Sequence, residues 1–305
     1  MFKRTTAMLL AGIVVTTIAC SSDEKGTVKF TTWGEEFIEQ GISANPNGED
    51  GFVDGWSIKY SKFLVNFHDI AVADAAGNVV ARLDKPRFVD NTKAGIKDLV
   101  TFSDVEAKAY TQVSYEIRPA VADEVIVAGD AADHQMMVAN GWSIYVEGTA
   151  TKDAATKTFK WGFKSQTRYS ECRAAEENGI STEGLVVTNN QTDTSELTTH
   201  GDHFFYDALQ SGDNATPTRL RFAEKAAADD APNGDGNGEI TIAELCKLNI
   251  DPAVYNPSGL TAGTIGDFVI ALSRTVGHYR GEGECTVSRI DAVPAGVSTN
   301  CDEYR

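Results

Sequence analysis

Apolar and polar residues alternate through most of the first two-thirds of this chain, and a period of two leaves few folds open. Val28, Phe30 and Thr32 alternate, as do Trp56, Ile58 and Tyr60, followed by Phe63, Val65 and Phe67. Successive side chains of a strand point to opposite faces, so each run presents one apolar face to a core. Residues 74–78 (DAAGN) read as a turn that returns the chain into 79–83 as a hairpin. Val113, Tyr115 and Ile117 form another inward face. Trp142, Ile144 and Val146 match Phe159, Trp161 and Phe163 across a turn at 151–156. The spacing predicts a mainly β chain with α, of the α+β class: an antiparallel β-sandwich over 27–210.

The period then changes. Residues 216–228, 241–248 and 264–276 carry helical spacing, the last with Ile265, Phe268, Val269, Leu272 and Val276 on one face and Gly277 as a C-terminal cap. A helical segment over 211–305, packed on the sandwich, is therefore expected. Between the first two stretches lies NGDGNGEITIAE, residues 233–244. Asn233, Asp235 and Asn237 place oxygens at alternate positions, Gly238 supplies a sharp turn, Glu239 offers its carbonyl, Thr241 stands ninth and Glu244 closes the loop. Ca²⁺ needs six to eight hard oxygens, and alternate residues of a tight loop can converge on one point. The pattern resembles the calcium loop of EF-hand proteins, with Asn in place of Asp at its first position. A single such loop points to a structural ion rather than a sensor. Thr241 and Glu244 also satisfy the spacing of a helix capping box.

The N-terminus reads as an export signal. Lys3 and Arg4 precede a short apolar run at 7–18, too short to span a bilayer. Ile18-Ala19-Cys20 resembles the lipobox of bacterial lipoprotein signal peptides. That resemblance implies cleavage after residue 19, lipidation of Cys20, a tether at 20–26, and an outer-membrane or periplasmic location with the membrane as a partner. The chain carries a net charge of −17, which disfavours nucleic acid and anionic membrane surfaces. Four cysteines follow Cys20, an even number in an exported chain, and suggest two disulfides. Three pairings are possible; Cys172–Cys285 with Cys246–Cys301 is the expected one.

Three of the five histidines fall in two glycine-containing tracts, His200-Gly201-Asp202-His203 and Gly277-His278-Tyr279-Arg280-Gly281-Glu282-Gly283-Glu284. On a regular strand His200 and His203 would face opposite ways, so joint ligation requires a bend, which Gly201 permits. His200, His203 and His278, with Asp202, Glu282 and Glu284 nearby, suit Zn²⁺ or Cu²⁺, and ordinary imidazoles would release such an ion as pH falls toward about 5–6. His68 and His134, the latter in a loop, are expected to be bystanders. The tract also resembles the metal-binding motif of metallo-β-lactamase-fold hydrolases, but Thr198 stands where the first histidine belongs.

The strand runs over 27–205, with the 74–78 turn and the 142–163 hairpin, resemble the sandwich of MbnP-like periplasmic copper-handling lipoproteins. That resemblance places His200 or His203 at a recurrent histidine and implies a metal-handling protein as partner. The expected function is an exported, lipid-anchored metal-binding protein that scavenges or delivers zinc or copper. The alternatives are a zinc hydrolase using the same histidines, with Glu282 or Glu284 as base, and a calcium-stabilised adhesion or carbohydrate-binding module displaying Trp33 or Trp56.

Overall fold

The computed structural model describes residues 24–48, 50–177, 180–209, 218–257, 262–291 and 300–304. Cys20 and the signal segment lie outside them. Strands are numbered along the chain. One sheet of four runs in the order β15 (Gly277–Tyr279), β13 (Thr192–Thr199), β1 (Lys25–Trp33), β5 (Lys97–Glu106). A second runs β14 (Glu239–Thr241), β10 (Ala155–Phe163), β9 (Ile144–Lys152), β2 (Ser57–Ala73), β7 (Gln112–Ile117), β11 (Thr167–Ser170), β16 (Thr286–Arg289). To β2 are added β3 (Val79–Arg82) and β4 (Arg87–Asp90), and β8 (Val125–Ala128) pairs with β4. A small pair joins β12 (Leu185–Val186) to β6 (Ala109–Tyr110). The protein is mainly β with short helices, as the alternation requires; the first two are α1 (Glu35–Glu39) and α2 (Ala131–Asn140).

Inward residues of the two large sheets share one core. Val28, Phe30 and Leu197 from the smaller sheet and Phe63, Val65, Phe67, Tyr115 and Trp161 from the larger are all buried in it. The expected hairpins form: β2 turns into β3 through residues 74–78, and β9 pairs with β10 from Lys152 opposite Ala155 to Ile144 opposite Phe163, a turn tighter than 151–156. Trp142 falls just outside β9 and stacks on Tyr145 at 5.0 Å. Three pairings are parallel, a feature that local alternation does not encode: β1 with β13, β4 with β8, and β10 with β14. Strand β1 starts at Lys25, inside the stretch read as tether.

The C-terminal part differs from a helical segment. Its described residues hold three short helices, α3 (Ala223–Ala226), α4 (Ile242–Leu245) and α5 (Ile265–Leu272), and three strands that complete the sheets. Helices α4 and α5 begin at capping boxes, Thr241 with Glu244 and Thr264 with Asp267, which fix where they start. Every residue of α5 is buried, so it ends in the core and hands the chain to β15. Gly277 is therefore the first residue of a strand and not a cap. A Cβ there would meet the Tyr115 hydroxyl at 2.6 Å and the Tyr169 ring at 2.7 Å. Both expected disulfides form: Cys172–Cys285 ties the end of β11 to the loop after β15, and Cys246–Cys301 ties the end of α4 to the C-terminal turn.

Candidate metal centre

The parallel pairing of β1 with β13 builds the site. Parallel neighbours end at the same edge, and Trp33 sits opposite Thr198. The residues that follow these ends, Glu35 and His200, therefore emerge side by side. Strand β15 lies antiparallel on the other flank of β13 with His278 opposite Thr198, and the His200 N–H donates to the Val276 carbonyl at 2.8 Å. The chain after His200 coils into a 3-10 turn, Asp202–Phe205, which supplies the bend that brings His203 back to the same side. Gly201 has ordinary helical dihedrals in that bend, so its role is spatial: a Cβ would meet Ile38 Cγ1 at 2.6 Å and the Tyr60 ring at 3.0 Å.

The three imidazoles converge. Ring centroids lie 4.1 Å apart for His200 and His278, 5.0 Å for His203 and His278, and 5.2 Å for His200 and His203. All three are buried, and one nitrogen from each falls within 4.8 Å of the others. Nitrogens bound to Zn²⁺ at roughly 2.0–2.1 Å stand about 3.4 Å apart, so ligation needs only a small inward shift. The tautomer of His203 follows from its partner. The Thr275 hydroxyl donates to the Leu272 carbonyl at 2.9 Å, so its oxygen accepts from His203 Nδ1–H at 2.9 Å and Nε2 keeps its lone pair. Among the described residues, buried His278 Nδ1 has no hydrogen-bond partner, and His200 Nε2 has only the Glu35 carboxyl at 3.3 Å, outside hydrogen-bond geometry. Unmet buried nitrogens of this kind fit a metal ion.

Electrostatics favour neutral imidazoles. Burial, reinforced by the neighbouring His278 and His200, holds His203 well below the ordinary histidine range. Burial, with His200, pushes His278 down to about 3. Desolvation thus opposes protonation of two of the three histidines, which argues against loss of their neutral form near pH 5–6.

Carboxylates surround the cluster. Glu35 Oε1 lies 3.3 Å from His200 Nε2, and Glu35, His200 and Glu282 form a second group able to share an ion. Burial, then the nearby Glu282, Asp202 and Glu196, pushes Glu35 up to about 8. Glu35 also has a left-handed backbone, φ 54°, a strained conformation for a residue with a side chain. Nothing in the local sequence marks Glu35; a carboxylate just past the end of a strand was its one signal. Asp202 is buried beside the histidines, its carboxyl raised by burial, with Oδ2 accepting from the Tyr206 hydroxyl at 2.8 Å. It belongs to neither ligating group among the described residues. Neither does Glu284, an exposed residue whose carbonyl accepts the Arg173 N–H.

The remaining candidates are placed elsewhere. His134 lies on α2 (Ala131–Asn140) and not in a loop, and His134 and His68 turn Nε2 toward the buried Glu124 at 3.1 and 3.5 Å. Trp56 is buried against Phe222, and the Trp33 indole donates to Glu39 at 2.7 Å, so neither offers an open aromatic platform. In the acidic loop, Asp235 and Glu244 come together with Asp229, which the twelve-residue spacing leaves outside. Asn237 and Thr241 serve the loop and helix start: Asn237 Oδ1 accepts the Glu239 N–H at 2.6 Å and Thr241 caps α4. Comparison of the chain with protein families, with curated proteins and with solved structures finds no match in any of the three.

Proposed function

We propose that this is an exported, lipid-anchored metal-binding protein whose centre is His200, His203 and His278, and that it scavenges or delivers zinc or copper. The observation that carries the reading is the convergence of three buried imidazoles, two with unmet nitrogens and one with its tautomer set by Thr275. Nitrogen donors select Zn²⁺ or Cu²⁺ over the hard cations that an acidic surface attracts without distinction. Glu35, poised over His200, is the natural carboxylate neighbour of the ion. In this reading the two large sheets are the layers of a sandwich comparable to MbnP-like proteins, and the centre sits at one end of it.

Elemental mass spectrometry on the purified full chain tests the assignment. The expected result is one equivalent of zinc or copper, absent when all three histidines are replaced by alanine. Unchanged metal content in the triple variant would remove the proposal. The anchor is tested separately: Cys20→Ala should move the protein from the membrane fraction to the soluble one, since one acylated residue provides the attachment. A variant that stays with the membrane would show a different tether.

A hydrolytic reading rests on Glu35 rather than on Glu282 or Glu284, because a carboxyl pushed up to about 8 can exchange a proton near neutral pH. Zinc-dependent ester hydrolysis that vanishes in Glu35→Gln while zinc remains bound would favour it. No turnover by the zinc-loaded protein would leave binding alone.

A further inference from the structure

The acidic loop gathers its carboxylates in a register that its sequence spacing does not announce. Asp229 closes the turn before the loop, and its carbonyl accepts the Gly236 N–H at 2.8 Å. Its Oδ2 accepts the Gly238 N–H at 3.1 Å and pairs with the Lys157 ammonium. Asp235 accepts from the Asn237 N–H at 3.1 Å and from its side-chain amide at 3.0 Å. Glu244 divides its oxygens: Oε2 caps α4 through Thr241, and Oε1 faces the Asp235 N–H at 3.4 Å. Asp229, Asp235 and Glu244 each bring one carboxylate oxygen within 4.8 Å of the others.

One oxygen in this group has no partner among the described residues. Asp229 is fully buried, and its Oδ1 makes no hydrogen bond with them. A buried carboxylate oxygen without a donor costs free energy that a bound cation would remove. Lys157 occupies the other oxygen and also pairs with Asp230 at 3.1 Å, so it leaves Oδ1 free. Asn233, to which the twelve-residue pattern gives the first ligand, uses its N–H to turn the chain onto the Asp230 carbonyl at 3.1 Å.

We propose that Asp229, Asp235 and Glu244 hold a Ca²⁺ ion, with Asp229 in the first-ligand role that the sequence pattern assigns to Asn233. The donors are all hard oxygens, which suits Ca²⁺ and excludes the soft-ligand preference of copper. Replacing an amide by a carboxylate adds one negative charge to the set, and ligand charge is a main determinant of calcium affinity. Strand β14 then does what a second loop does in a paired site: its residues 239–241 lie along Thr158–Lys160 of β10, and the Trp161 indole donates to the Ile240 carbonyl at 3.1 Å. The ion would fasten the end of the turn after α3 to the start of α4 against the sheet edge.

Calorimetric titration of CaCl₂ into the chelator-treated full chain decides the matter. The wild type should bind one Ca²⁺, with a Kd no weaker than roughly 10⁻³ M, the weak end of extracellular calcium modules. Asp229→Asn should weaken binding by on the order of tenfold or more, and Asn233→Ala should leave it within about twofold. Asp229 is buried, so its variant needs a check of folding by circular dichroism. The exposed Asp235→Asn gives the same expected loss without touching the core. Loss in Asn233→Ala with retention in Asp229→Asn would restore the twelve-residue register and overturn the proposal. So would the absence of calcium binding by the wild type. No histidine takes part, so this test and that of the histidine centre can fail independently.

Discussion

Zinc at a thousandfold excess over its Kd should stabilise this protein by about 4 kcal/mol, because an ion that binds only the folded state adds RT ln(1 + [L]/Kd). The melting temperature should rise accordingly, and alanine at His203 or His278 should remove most of the gain. The metal-free protein carries a pH dependence of its own. His203 and His278 have folded pKa values below the unfolded value, so the unfolded chain takes up protons first on acidification. The stability tied to their neutral state is fully present above about pH 6.5 and is lost on acidification, for His278 as pH falls toward 3. His278 alone accounts for on the order of 5 kcal/mol. Glu35 acts in the opposite sense: its folded pKa is raised, so its contribution is present below about pH 4.5 and is lost as pH rises through 8. Urea midpoints measured with a chelator should fall at acid pH, and Glu35→Gln should raise them at pH 9. A flat profile between pH 7 and 4 would mean that the two imidazoles are not buried neutral.

The second large effect concerns the disulfides. Replacing Cys172 and Cys285 by serine opens a closure of 113 residues, and replacing Cys246 and Cys301 opens one of 55. Loop-closure entropy depends only weakly on length, so each should cost roughly 4–5 kcal/mol or somewhat less. Metal affinity separates them. Cys285 anchors the loop that follows β15, the strand carrying His278, so the first variant should bind zinc more weakly. The second frees the end of α4, away from the histidines, and zinc affinity should hold. Equal loss in both would indicate a global loosening rather than a local tie.

Much of this was legible in the sequence because it is local. Hairpins at 74–78 and 151–156 and the two histidine tracts follow from short-range pattern, whereas the cysteine pairing, across 113 and 55 residues, was one of three that the sequence left open. The failures were non-local or decided by packing. Helical spacing at 216–228 and 264–276 yields shorter α3 and α5, the latter begun by its capping box at Thr264; residues 216 and 217 lie outside those described. Glu35 joins the site only because β1 and β13 run parallel, a pairing across more than 160 residues that no periodicity encodes. Asp229 comes beside Asp235 and Glu244 because the chain between 229 and 236 makes an additional turn.

That same parallel pairing makes the centre a late product of folding. Its parts come from just after the first described strand, from a turn near residue 200 and from a strand near 278, so no short fragment of the chain contains it. Contacts of such long sequence separation form after the loop entropy between them has been lost, which is slow. A chain that stops before β15 keeps His200 and His203 but lacks His278. Under the proposed function, ion capture and completion of the sheet would be one cooperative event, and a bound metal would mark a finished molecule.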